Sequence, residues 1–207
     1  MIVPVEHRLN DFQKTADLKA GFGIEIDIRF RDSQLVVQHD FDDNYSISLE
    51  RYLSLIGDRF LVLNVKEEGL AKPVIDLARL HLSEFFVLDE TFPFIKKTAE
   101  QSYQELAARV SDLEGVDSAM RLQKALLDKG KRIDWVWVDY FREMISPSEY
   151  DQLKSMGFKT CFVSPELHHL NDESCWQDLA ANFKTNLLSK DIQPDKVCTK
   201  IPALWVD

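Results

Sequence analysis

The chain has 207 residues, 45% of them hydrophobic and 29% charged, an ordinary globular composition with enough apolar content for one domain spanning 1–207. Its net charge of −10 argues against a general nucleic-acid binder or a protein that coats anionic membranes, and any anion site must supply its own Lys, Arg or metal charge. No apolar run approaches the roughly 18 residues of a membrane span. The start "MIVPVEHRLND" lacks the pattern of a signal peptide, and Cys161, Cys175 and Cys198 form no CxxC pair, so a reducing cytoplasm is the expected compartment.

The first β-rich run, "IVPVEH", ends in His7-Arg8. A short connection, "NDFQKTADLKAGF", leads to "GIEIDIRF", which carries Glu25 and Asp27 inside apolar alternation. The turn "RDSQ" then lets "LVVQHD" double back and end on His39-Asp40. "SLERYLSLIG" reads as a helix with Ser48 as its start signal and Gly57 as its stop. "FLVLNVK" holds Asn64 and Lys66. "GLAKPVIDLARLHLSEF" has helical period and precedes "FFVLDE", which ends in Asp89-Glu90. "ELAARVS" carries Arg109 and is followed by the helical "DSAMRLQKALLDKG". "DWVWVDYF" ends in Asp139, and "SPSEYDQLKSMG" has a Ser-Pro helix start and a Gly157 stop. "KTCFVSPEL" leads through Ser164-Pro165-Glu166 to a long helix candidate, "DESCWQDLAANFKTNLLSK". The last run, "KVCTKIP", contains Lys200.

Eight strand signals separated by helical stretches favour a parallel α/β sheet with right-handed crossovers, and eight is the number that closes a (β/α)8 TIM barrel. The expected barrel is compact, with a slight first βα unit and a short hairpin excursion after strand 2. The alternative, an open doubly wound sheet, would gather its polar residues at one switch point. Here polar residues end nearly every strand, as they do at a barrel's catalytic mouth.

Residues i and i+2 of a strand share a face, so Glu25 and Asp27 converge while Ile24, Ile26 and Ile28 turn away. Two adjacent carboxylates repel unless a proton, a salt bridge or a cation intervenes, and a hard divalent ion such as Mg²⁺ or Ca²⁺ is one answer. Asn64 and Lys66 repeat the spacing: an amide oxygen to complete a metal site, an ammonium to hold a phosphate oxygen or to pair with Glu25 or Asp27. His7 and His39 each leave a strand beside the carboxylate pair and form a candidate acid/base couple, with Asp40 placed to orient one ring. His81, expected in a helix, and His168-His169, in a loop, read as surface residues. Cys161 and Cys198 read as packing residues. Phe41, Phe92, Tyr140, Phe141 and Trp205 lie near strand ends, to stack on a sugar ring or to pack.

"HR" after the first strand, "GIEIDI" on the second, "LVVQHD" closing the hairpin and the ending "CTKIP" resemble, in order from Val5 to Pro202, the glycerophosphodiester phosphodiesterase family. That family belongs to the phospholipase-C-like phosphodiesterase barrel superfamily. The resemblance implies that His7 and His39 are the acid/base pair and that Glu25 and Asp27 bind one Mg²⁺ or Ca²⁺, with Asn64 third. It implies that Arg8 and Lys66 contact the phosphate of a small phosphodiester. Arg109, Asp139 and Lys200 are further candidates for substrate binding at the mouth. Leu9 stands where the family has Gly, the Glu-Asn-Thr that usually follows is absent although Asn10 replaces part of it, and Asn64 stands where the family has a third acid. The last departure would shift the third ligand to Glu67 or Asp89, or point to a metal-independent lyase using Lys66 and Arg8. It also fits a non-catalytic barrel that binds a phosphorylated sugar or lipid head group.

Overall fold

The computed structural model describes residues 2–41 and 46–206. Eight parallel strands carry the fold: β1 (Val3–Glu6), β2 (Gly23–Arg31), β5 (Leu61–Val65), β6 (Phe85–Leu88), β7 (Ala107–Val110), β8 (Trp135–Val138), β9 (Lys159–Val163) and β10 (Lys196–Thr199). Their pairings run from β1 to β2, β5 and β6, and from β7 through β8, β9 and β10 back to β1. The join between β6 and β7 is a single parallel bridge, Val87 with Leu106, where the Val87 N–H donates to Glu105 O. The sequence of pairings therefore returns to its start, as an eight-stranded α/β barrel requires.

Two short antiparallel strands, β3 (Gln34–Val37) and β4 (Ile47–Ser48), form the expected excursion after β2. Residues 32 and 33 turn the chain with positive φ. Six helices occur among the described residues: α1 (Leu49–Ile56), α2 (Ala71–Ala78), α3 (Phe92–Glu100), α4 (Val116–Leu127), α5 (Pro147–Ser155) and α6 (Trp176–Ser189). Between β1 and β2 there is a six-residue 3₁₀ turn, Phe12–Asp17, so the first βα unit is as slight as its sequence suggests. The helix signals act as read. Ser48 accepts the Arg51 N–H and Gly57 ends α1 at φ 70°, while Ser146 and Glu149 form a reciprocal capping box on α5. The sequence reading gave no sign of α3. Its Pro93 sits in the first turn, where a missing N–H costs nothing. His81 lies in the turn beyond α2 rather than within the helix, which ends at Ala78.

Alternation on each strand divides the core. Ile24, Ile26, Ile28, Leu61, Leu63 and Val87 face outward onto the helices. Val5, Val62, Phe86, Leu88, Trp135, Trp137, Cys161 and Cys198 fill the interior, so both strand cysteines are packing residues as expected. Phe60, Phe86 and Trp135 pack with ring centroids 4.9–5.8 Å apart. The strand-start end of the interior is closed by Lys196 over Phe60 and Lys159 over Trp135, with Glu84 bridging the two ammonium groups at 2.9 and 2.6 Å. With that end sealed, the inward positions near the strand C-termini are left for polar side chains.

Candidate active site

Glu25 and Asp27 occupy the inward face of β2 near its middle, and each is 1% exposed. Asp27 stands in register with Asn64 of β5. The loop after β1 folds over both acids. The Arg8 N–H donates to Glu25 Oε2 at 2.7 Å, and the Leu9 N–H donates to the Glu25 carbonyl. Asn10 grips Asp27 twice: its Nδ2 donates to Oδ2 at 2.8 Å and its Oδ1 accepts the Asp27 N–H at 2.9 Å. This turn places Arg8 at φ 52°, in the left-handed region.

The carboxylate oxygens are each contacted by nitrogen. Glu25 Oε1 accepts from Asn64 Nδ2 at 3.0 Å and Oε2 from the Arg8 N–H. Asp27 Oδ1 lies 2.8 Å from Lys66 Nζ, while Oδ2 takes Asn10 and has Arg8 Nε at 3.7 Å. Burial, and then the neighbouring Asp27 charge, push the Glu25 carboxyl up to about 7.

His7 continues the inward alternation of Val5 just beyond β1. Its Nε2 lies 3.9 Å from Glu25 Oε2, and its Nδ1 is buried without a hydrogen-bond partner among the described residues. Burial, reinforced by Lys200 and Arg8, pulls the His7 imidazole down to about 3, so the ring is neutral at pH 7. Lys200 Nζ donates to the His7 carbonyl, which fixes the residue's backbone. Lys200 is thus tied to the backbone of the histidine.

His39 reaches the same rim by the hairpin. The Gln38 N–H donates to the Asp27 carbonyl at 2.9 Å, which places the next residue beside the acid pair. His39 Nδ1 is 2.8 Å from Asp40 Oδ2, and the Asp40 carboxyl is held below its ordinary range by that contact first and by nearby Arg8 and Arg29. Arg29 Nε donates to the His39 carbonyl at 2.7 Å, and its guanidinium lies over the Phe41 ring.

The structure brings His7, Arg8, Glu25, Asp27, His39, Asn64 and Lys66 to one rim but uses Arg109 and Asp139 differently. Arg109 is enclosed by acids: Nη2 is 2.6 Å from Asp89 Oδ1, Nη1 pairs with Asp139 Oδ2, and Nε is 3.9 Å from Glu114. Asp139 Oδ1 also meets His168 Nε2 at 2.8 Å, and the His168 ring stacks on Phe141 with centroids 4.6 Å apart. His168 is therefore a member of a half-buried ion-pair network, not a surface loop residue. No spacing in the sequence links it to Asp139, 29 positions away. Trp205 is 3% exposed and packs on Phe183, so it is a core residue.

The remaining mouth acids have structural partners. Glu67 accepts from the Phe30 N–H and lies 3.7 Å from Arg29. Asp89 is committed to Arg109. Glu90 accepts the Gly69 and Ala71 N–H groups and so caps α2, whose own N-cap, Leu70, has no side chain to do it. Fully buried Glu166 takes the Ser164 and Thr199 hydroxyls and the Lys200 N–H, pinning β9 to β10.

The donor set does not fit a resident Mg²⁺ or Ca²⁺. Such ions take six or more oxygen ligands, rich in carboxylate for Ca²⁺. Among the described residues no third His, Cys, Asp or Glu joins Glu25 and Asp27 in a metal-holding group. The two replacements considered from sequence, Glu67 and Asp89, are engaged by Arg29 and Arg109. Asn64 turns its nitrogen, not its oxygen, toward Glu25.

No family model matches the chain, and no curated protein matches it. Solved structures do. A candidate glycerophosphoryl diester phosphodiesterase from Agrobacterium tumefaciens strain C58 superposes with a TM-score of 0.62 at 14% identity, over 99% of this chain and 95% of that one. A candidate glycerophosphodiester phosphodiesterase from Galdieria sulphuraria gives 0.63 at 13% identity, over 99% and 96%. A third, from Silicibacter pomeroyi DSS-3, gives 0.58 at 12%, over 99% and 91%. The chain shares their fold across nearly its whole length. Among the described residues no helix is long and apolar enough to cross a membrane.

Proposed function

We propose that the chain cleaves a small phosphodiester at the rim formed by His7, Arg8, His39 and Lys66. The observation that carries this reading is a half-buried histidine, His7, with Nε2 3.9 Å from Glu25 of a buried carboxylate pair, two cations beside that pair and a second histidine delivered to the same strand. Neutral His7 takes the proton of the attacking hydroxyl, whether of water or of the substrate's own neighbouring alcohol. As that oxygen bonds to phosphorus, the ester bond to the leaving alcohol breaks, and His39 returns a proton to the departing oxygen. Asp40 Oδ2 lies 2.8 Å from His39 Nδ1, where it can pair with the ring when protonated and leave Nε2 to exchange the proton. Lys66 and Arg8 offset the negative charge that develops on the phosphoryl oxygens. The fold shared with candidate glycerophosphodiester phosphodiesterases supports the substrate class.

The test is release of alcohol from a panel of glycerophosphodiesters by the wild type, His7→Ala and His39→Ala. Each single variant is expected to lose at least about a hundredfold in kcat/KM, the scale of acid/base catalysis, with an unchanged circular dichroism spectrum. Full activity in the double variant would overturn the assignment. One observation favours a second reading, a barrel that binds a phosphorylated head group without turning it over: every oxygen of the two acids already has a nitrogen within 3.0 Å. Binding of glycerol phosphate by a wild type inactive on the whole panel would select it.

A further inference from the structure

We infer that Lys66 takes the place of a divalent cation in this site, so that the rim holds a phosphoryl group with no Mg²⁺ or Ca²⁺. The inference rests on reading the rim as a phosphoryl site, but not on its being catalytic. Three observations meet here. The first is charge. Glu25 and Asp27 contribute at most two negative charges, and Lys66 at 2.8 Å with Arg8 at 3.7 Å from Asp27 contribute two positive ones. A divalent ion would enter a ring that is already balanced.

The second is occupancy. A cation would compete with nitrogen donors on Glu25 Oε1, Glu25 Oε2, Asp27 Oδ1 and Asp27 Oδ2, each of which already has one at 2.7–3.0 Å. Removing those donors would strand the Asn10 and Asn64 amides and the Arg8 N–H in a site that is nearly dry. The third is position 64. The residue in register with Asp27 is an amide that donates to Glu25, which a carboxylate at that position cannot do. An ammonium has three hydrogens and an arginine five. With one face of each turned to Asp27, both have donors for the phosphoryl oxygens, and Arg8 is 39% exposed to receive them.

The experiment is titration calorimetry on the full chain with Mg²⁺, Ca²⁺ and inorganic phosphate, the last with chelator present. Wild-type protein is expected to show no stoichiometric heat with either metal and to bind phosphate in chelator. Lys66→Met is expected to weaken that phosphate binding about tenfold or more, the effect of losing one charge-assisted contact. Asn64→Glu restores a third carboxylate beside the pair and is expected to gain Ca²⁺ or Mg²⁺ binding, read also as metal-dependent thermal stabilisation. Stoichiometric metal binding by the wild type that disappears in Glu25→Ala would overturn the inference, as would phosphate binding that requires metal. Because the metal titration reads no turnover, it decides the matter even if no diester in the panel is cleaved.

Discussion

Replacing His7 by glutamine should change how stability depends on pH, with a sign set by the imidazole's burial. The free imidazole protonates near 6.5, whereas in the folded chain burial, Lys200 and Arg8 pull it down to about 3. Between those values the unfolded chain binds a proton that the native chain does not. Unfolding then becomes easier as pH falls, by about 1.4 kcal/mol per pH unit. From pH 6.5 to 4.5 the wild type therefore loses about 2 kcal/mol through this residue. Glu25 and Glu6 act in the opposite direction. Burial raises both carboxyls to about 7, so the native chain keeps protons that the unfolded chain releases above about 4.5. Their contribution grows as pH falls through the same window and masks that of His7 in the wild-type curve alone. The difference between wild type and His7→Gln isolates the histidine, since the amide does not titrate. Urea unfolding followed by tryptophan fluorescence at pH steps from 7 to 4.5 should show the variant gaining about 2.5 kcal/mol on the wild type at the acid end. Parallel curves, with a constant difference at every pH, would refute the claim that His7 is kept neutral by its surroundings.

Two further substitutions probe the frame of the site. Gly23→Ala should cost about 1–3 kcal/mol in chemical denaturation, because its Cβ would stand 2.9 Å from Phe60 Cδ1 and 3.1 Å from both Phe60 O and Val5 Cγ2 where β1, β2 and β5 meet; an unchanged midpoint would contradict the packing described. Arg109→Leu removes the counter-charge of Asp89 and Asp139 and should destabilise the fold by roughly 3 kcal/mol, the scale for stranding a half-buried charge; a loss below about 1 kcal/mol would show that water already screens the network.

The architecture was legible because its signals are local. Eight apolar runs with helical stretches between them, a turn with two positive-φ residues, and caps such as Ser48 and Ser146 all act within a few residues of where they stand. The convergence of Glu25 with Asp27 and of Asn64 with Lys66 followed from strand period alone. What escaped were pairings fixed by side chains far apart in sequence. Arg109 and Asp139 were legible as inward mouth residues, but their mutual engagement, and the addition of His168 to it, depends on β7 and β8 lying side by side and on a loop returning over them. Glu90 looked like a mouth acid because it follows a strand. Its actual task, capping α2, arises because Leu70 cannot do so.

The amide side chains mark the deeper limit. Asn64 carries an acceptor and a donor on one carbon, and the sequence cannot say which end the fold will use. If the oxygen faced the acids, the residue would be a third ligand and the site would collect a cation. The nitrogen faces Glu25, and Asn10 likewise gives its nitrogen to Asp27. Both choices follow from the same electrostatic demand. Two buried carboxylates side by side select donors from whatever surrounds them, and Lys66 and Arg8 supply the charge that amides lack. An ammonium differs from a metal ion in what it permits. It cannot acidify a bound water as a Lewis acid does, so proton removal must fall to a base with a free lone pair at neutral pH. On the proposed reading His7, whose Nδ1 has no partner among the described residues, is the candidate for that base. If Lys66 stands in for the cation as inferred, His7 and Lys66 act as one arrangement, and substituting either should alter the other's role.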